Sequence, residues 1–222
     1  MASKMTLNFE AIIPSIPLIL EGIIVTLKFT LTSLACGLPL GFLLALAKIS
    51  PQKTLRAIAQ AYTSIFRGTP LLVQLGLIYY ATPQLTGYTI SAFEAGVLTF
   101  SFNSAAYSSE IIRAGIESID IGQWEAAQVL GLSRWQLLGG VIFPQAVRNV
   151  LPALVNEMVD LLKESALVST IGEADLLRQA QKVASEKYLY FEPLIIAAAC
   201  YYVMVMVISF SAKKLEQRLR YA

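Results

Sequence analysis

Phe29 to Ala47 reads FTLTSLACGLPLGFLLALA, nineteen consecutive residues without a charged side chain. A helix needs about 20 mainly apolar residues to cross the hydrocarbon core of a bilayer. With Lys28 tolerated near one end, the run extends to a span of about 21–48. The composition points to the same solvent. Of 222 residues, 56% are hydrophobic and 14% charged, and the mean hydropathy is +0.62. A soluble domain carries about a quarter charged residues.

Working outward, four more spans follow at about 57–82, 92–115, 149–171 and 193–212. The stretch from Gly68 to Phe93 is uncharged, which leaves Arg67 inside the second span. The fourth span is the most polar, with Glu157, Asp160, Lys163 and Glu164; the fifth, Pro193 to Ala212, has no charge at all. The expected fold is an all-α membrane protein of one domain, 1–222, with about five transmembrane helices.

Five spans put the termini on opposite sides, and Lys/Arg counts near the span ends set the orientation. Lys48, Lys53, Arg56, Arg113, Arg134, Arg148, Lys213, Lys214, Arg218 and Arg220 fall on one side; Lys4, Arg178, Lys182 and Lys187 fall on the other. Ten against four puts the C-terminus and the loop at about 117–148 inside and the N-terminus outside. The first twenty residues do not resemble a cleaved signal peptide, because Lys4 is the only early cation and Pro14 and Pro17 interrupt the apolar run. A short helix on the outer surface is the expectation there.

Several chemistries are excluded. Without histidine there is no Ser-His-Asp or Cys-His nucleophile system and no HExxH zinc site. Cys36 and Cys200, far apart in apolar runs, make neither a CxxC motif nor a metal set. No GxxxxGK[ST] loop is present, so the chain has no Walker A loop for ATP. The net charge of +2 is too small and scattered for nucleic acid. No catalytic residue, cofactor or metal site is expected.

The inner loop is too polar for lipid and too long for a turn. Asp120 with Gln123 resembles a capping box opening a short helix, which Gly131 ends. Ser133 with Gln136 opens a second helix, which Pro144 is expected to interrupt. Two short helices with exposed apolar side chains would form a knob at the membrane surface, either packed on its own domain or offered to a partner.

Within that loop Glu125, Ala126 and Ala127, then Gly131, then Pro144 match the spacing of the EAA loop of ATP-binding-cassette importer permeases. Val141 and Phe143 stand where that pattern has Ile and Leu. The stretches FRGTPLLVQL (66–75), AYSSEIIRAGI (106–116), GQWEAAQVLGLSRWQ (122–136) and NEMVDLLKESALVS (156–169) resemble the polar amino acid branch. Asp120-Ile121 departs from the Pro-Lys frequent in that branch. The resemblance covers roughly 18–216. It implies a multi-pass permease subunit of the bacterial inner membrane, moving amino acids by alternating access. Implied partners are an ATP-binding subunit dimer at the cytoplasmic face, a second permease subunit, identical or related, an extracytoplasmic amino-acid-binding protein and membrane lipid. In that frame Glu125, Ala126, Ala127 and Gly131 would contact the ATPase.

Candidate substrate residues come from three spans. At 100° per residue, Glu157 and Glu164 differ by about 20° and Asp160 lies about 60° from Glu157. Asn156 and Lys163 complete one arc, with three carboxylates against one lysine. Intramembrane charges face a cavity or each other. The stripe therefore either looks inward and compensates a cationic substrate, or pairs Lys163 with Asp160 or Glu164 as a packing device. The resemblance also implies substrate contacts at Glu157 and Glu164. In the second span Arg67-Gly68-Thr69-Pro70 breaks a helix, with Thr69 suited to an N-cap and Pro70 to the first helical position. Arg67 and the new helix start would receive an α-carboxylate, with Gln74 nearby; the alternative is that Arg67 snorkels to the headgroups. In the third span Asn103, Tyr107 and Glu110 share a face. They either line the same cavity, or Glu110 pairs with Arg113. The competing functional class is a secondary transporter or channel that uses the buried carboxylates for ion coupling. An intramembrane enzyme is remote, because no GxSG or paired Asp motif occurs.

Overall fold

The computed structural model describes residues 7–221. Lys4 lies outside them, as do the side chains of Arg134 and Arg220. Every regular element among the described residues is helical: α1 (Ile16–Ile49), α2 (Lys53–Gly68), α3 (Leu71–Gly76), α4 (Thr82–Thr86), α5 (Ala92–Glu117), α6 (Ile121–Val129), α7 (Arg134–Leu137), α8 (Phe143–Glu164), α9 (Leu176–Lys187) and α10 (Phe191–Tyr221).

Among the described residues, three helical runs are long and apolar enough to cross a membrane: Ile13–Ile49, Trp135–Ile171 and Phe191–Arg218. The other two expected spans take different forms. The helix α5 has 26 residues, about 39 Å at 1.5 Å per residue, but carries Glu94, Glu110, Arg113 and Glu117. The 57–82 stretch is broken after Gly68 and resumes as α3, a π-helical turn (Leu77–Ala81) and α4.

Two proline expectations change. No separate surface helix precedes the first span among the described residues; a 3-10 turn (Ile13–Ser15) runs directly into α1. Pro14 and Pro17 occupy first-turn positions, where a missing N–H removes no intrahelical bond. Pro144 likewise does not interrupt the second knob helix. A π-helical turn (Leu138–Ile142) carries α7 into α8, so the helix runs on through the membrane span. The wider turn takes up the lost hydrogen bond and the ring bulk.

The core seam is α1 against α5, and it is made of small residues. Thr30, Ser33, Gly37, Gly41 and Ala45 form a buried stripe on α1. A methyl group on Gly41 would lie 2.9 Å from Ser108 Cβ, and one on Gly37 would lie 3.0 Å from the Ser101 carbonyl oxygen. Where lipid is as apolar as the side chains, close backbone approach and van der Waals contact replace the hydrophobic effect. Gly37-Leu38-Pro39-Leu40-Gly41 is a GxxxG pattern that serves this purpose. Phe29, Phe93 and Phe100 fill the adjoining layer edge to face.

The segment between α8 and α10 holds a helix without a counterpart in the expected spans. A 3-10 turn (Ser165–Ile171) and Gly172 at φ 90° lead to α9. Its first turn sits in a notch of α1, where a Cβ on Gly22 would come within 2.6 Å of Leu176 Cα. Asp175 is the N-cap, accepting from the N–H groups of Leu177 and Arg178, and the Tyr201 hydroxyl donates to it at 3.2 Å. Asp175 lies outside the spanning helices and is fully buried; burial pushes its carboxyl up to about 6 against these stabilising bonds. The folded chain therefore holds this proton to higher pH than the unfolded chain, and the associated stability is lost as pH rises through about 6. Melting temperature is expected to fall between about pH 4 and 6, and Asp175→Asn to flatten that slope. An unchanged slope in the variant refutes the assignment.

Candidate functional site

Backbone groups set the first cluster. Where α2 ends at Gly68, its last carbonyls lack intrahelical partners, and inside a membrane each unmet group costs several kcal/mol. The Gln74 amide donates to the Phe66 carbonyl at 2.8 Å, the Thr69 carbonyl at 3.0 Å and the Thr69 hydroxyl at 2.8 Å. The Asn103 amide of α5 donates to the Phe66 carbonyl at 3.1 Å and to Gln74 Oε1 at 3.3 Å. Gln74, Thr69 and Asn103 are thus brought together as expected, but their donors hold the helix break. The cap geometry also differs from expectation. Pro70 occupies the N-cap of α3, and the Thr69 hydroxyl donates back to Ile65 at 2.9 Å instead of capping forward. With six residues, α3 is too short for a strong terminal dipole.

Next to the break, the Arg67 guanidinium stacks over the Tyr107 ring at 5.1 Å, and both side chains are exposed. Among the described residues Arg67 makes no ion pair, so its charge is available to a carboxylate. Glu110, on the same face of α5, is committed elsewhere. It accepts from Arg113 at 2.7 and 3.0 Å and from Lys48 of α1 at 2.8 Å; Lys48 also donates to Ser109 at 2.6 Å. The Arg113 pairing is the alternative foreseen for Glu110; the buried Lys48 is an addition that no local spacing signals.

The α8 stripe does not turn into this chain's own interior. Asn156, Asp160, Lys163 and Glu164 are exposed, and only Glu157 is half-buried, next to Ser104 of α5. The buried face of α8 is the apolar one, including Leu161 and Leu162. Lys163 pairs with Asp160 at 2.7 Å, as the packing alternative requires. Glu157 and Glu164 form no ion pair among the described residues, although Lys163, paired with Asp160, also lies near Glu164. No hydrogen bond or ion pair joins Arg67 to these carboxylates.

The knob forms as α6 and α7 around Ile119, Ala127, Leu137, Ile142 and Ala146. Asp120 caps α6 through the Gly122 N–H at 2.7 Å, without the reciprocal Gln123 bond that a capping box needs. Ser133 and Gln136 do make both bonds of a box. Gly131 closes α6 at φ 70°, donating to Gln128, while Leu132 donates to Ala127; these are the paired bonds of a Schellman turn. Glu125 and Ala126 are exposed, whereas Ala127 points into the knob core. Val129, Leu130 and Trp135 are 87%, 75% and 84% exposed, a bare apolar tip on a helical surface that has no partner in a single chain.

Residues 37–221 match the family described as the binding-protein-dependent transport system inner membrane component. The chain belongs to this family. The permease is 52% identical over 206 residues to a protein of Rickettsia conorii provisionally named for glutamine transport, covering 93% of this chain and 94% of that one. It is 49% identical over 216 residues to the arginine transport system permease protein of Bacillus subtilis, covering 97% and 99%. A crystal structure of an amino acid ABC transporter with histidines superposes with a TM-score of 0.91 at 48% identity, covering 96% of this chain and all of that one. The methionine ABC transporter, inward facing, shares the fold with a TM-score of 0.72 at 19% identity. The relatives are translocation subunits, and the ion-coupled secondary transporter is not favoured.

Proposed function

We propose that this permease carries cationic amino acids, driven by an ATPase docked on the knob. The observation that supports the substrate class is the pair Glu157 and Glu164, one heptad apart on α8 and neither of them in an ion pair among the described residues. A second permease subunit, identical or related, would face this stripe across a shared pathway, so that residues exposed on one chain line the route between two. There the two carboxylates meet the substrate's side-chain charge, Arg67 on its Tyr107 platform meets the α-carboxylate, and Asn156 contributes hydrogen bonds. Gln74, Thr69 and Asn103 keep the broken helix in shape, and the Asp160–Lys163 pair neutralises itself. The knob, with Glu125, Ala126 and Gly131 on its surface and Ala127 inside it, transmits nucleotide-driven motion. Substrate arrives from an extracytoplasmic binding protein. The bacterial inner membrane is the setting, with the knob in the cytoplasm.

The test is ATPase stimulation of the reconstituted complex with its binding protein, screened across the common amino acids. Arginine, lysine and histidine are expected to stimulate most, and stronger stimulation by glutamate refutes the substrate class. Glu164→Gln is expected to reduce stimulation by cationic substrates roughly tenfold, the loss of one charge-assisted bond, and to spare neutral ones. An equal reduction for both assigns Glu164 to packing.

A further inference from the structure

The last turn of α1 and the knob flank an open cavity of about 1320 Å³. Phe42, Leu46 and Ile49 form the α1 wall; Trp124, Leu138 and Phe143 form the knob wall. This is larger than the ~300–1,000 Å³ of ordinary small-molecule pockets.

Three charged residues touch the cavity, and two are already balanced. Lys48 is held by Glu110 and Ser109, and Glu117 is held by Arg113. Arg56 is the exception. It makes no ion pair among the described residues, and its Nε and one Nη both donate to the Ser50 carbonyl, at 3.3 and 2.8 Å. That grip fixes the guanidinium while its remaining N–H groups stay unused. The site therefore combines a large apolar volume with one uncompensated positive charge.

The position narrows the occupant further. The apolar run of α1 ends at Lys48 and Ile49, so the cavity mouth lies where hydrocarbon gives way to headgroups. Trp124 and Trp135 both line it, and tryptophan favours that boundary. An apolar peptide would cover the walls but leave Arg56 without a counter-charge. A soluble anion would satisfy Arg56 and leave the walls wet. A two-chain lipid with a negative headgroup meets both demands.

We propose that this cavity binds one anionic diacyl phospholipid, its acyl chains between α1 and the knob and its phosphate on Arg56. The site is separate from the α8 stripe and does not depend on which amino acid is carried. The lipid fills a gap between the membrane helices and the knob, so its presence stiffens the link between them.

Native mass spectrometry of the assembled transporter, titrated with phosphatidylglycerol or phosphatidylcholine, tests this. The wild-type complex is expected to retain phosphatidylglycerol in preference. Arg56→Gln is expected to weaken that retention about fivefold, the factor one basic residue contributes near an anionic surface, and to erase the preference. Gly139→Phe is expected to remove both lipids, because Gly139 lines the cavity and its Cβ position is open for 4 Å. Lys214→Gln, a cation outside the cavity, is expected to behave as wild type. Undiminished phosphatidylglycerol binding in either cavity variant overturns the proposal. So does an equal loss in Lys214→Gln, or a photo-crosslinker at Ile49 that captures a protein subunit instead of lipid.

Discussion

Glu110→Ala is expected to destabilise the permease by about 3–5 kcal/mol, the cost of leaving a buried charge without its partner. Lys48→Met, on the other side of the same pair, is expected to cost clearly less. The asymmetry follows from what each deletion leaves behind. The Lys48 side chain is 2% exposed, and among the described residues Glu110 is the only carboxylate bonded to it, so removing Glu110 strands the ammonium against the Ser109 hydroxyl. Glu110 is 26% exposed and keeps two bonds from Arg113 when Lys48 is gone. At about 2–4 °C per kcal/mol for a chain of this size, Glu110→Ala is expected to lower the melting temperature by roughly 10 °C. Replacing both partners by apolar residues is expected to recover most of the loss, because no charge then remains buried. Thermal unfolding of the four proteins in one detergent decides it. Equal losses in the two single variants, or losses below about 1 kcal/mol in both, refute the account.

That pair marks where sequence reading stops. Glu110 with Arg113 is a local spacing on one helix, visible in the chain. Lys48 reaches Glu110 across 62 positions, and nothing in its neighbourhood signals a partner. The same division runs through the fold. The apolar runs of α1 and α10 and the tip of the knob were legible because periodicity, capping residues and Gly131 are local signals. The break at Gly68–Pro70 was legible too, but not what closes it: Gln74 and Asn103 read as ligands because the unmet carbonyls they serve belong to backbone, which has no letter in the sequence. Pro144 failed as a stop signal because a π-helical turn absorbs it, and that accommodation depends on the surrounding helix. The stripe on α8 was placed correctly around the helix axis. Where it points relative to this chain's own core was not legible, since a helical wheel fixes which residues share a face and tertiary packing fixes where the face points. The GLPLG pattern and Asp175 went unread, although a close-packing motif and an N-cap are both local signals.

Gly131→Asp is expected to abolish coupled transport while leaving the permease folded in the membrane. The folding half of this expectation is structural. Gly131 has φ 70°, which costs an ordinary L residue about 1–2 kcal/mol, and aspartate tolerates it better than most. Among the described residues, no atom beyond the two chain neighbours lies within 4 Å of its Cβ position, so the new side chain starts in open space. The Schellman bonds at Gly131 and Leu132 are made by backbone and survive. The functional half follows from the surface around it. Val129 and Leu130 are bare, and an ATPase that covers them would trap an unpaired carboxylate at the joint. Burying such a charge costs several kcal/mol, and every 1.4 kcal/mol is a factor of ten in affinity. Transport is expected to fall more than a hundredfold, with ATPase activity no longer stimulated by loaded binding protein. Gly131→Ala separates the two causes, since it carries the backbone strain without the charge. It is expected to keep most of the transport, whereas a loss as deep as that of Gly131→Asp would trace the defect to the turn itself. Wild-type transport by Gly131→Asp would mean that the engine docks somewhere other than this knob.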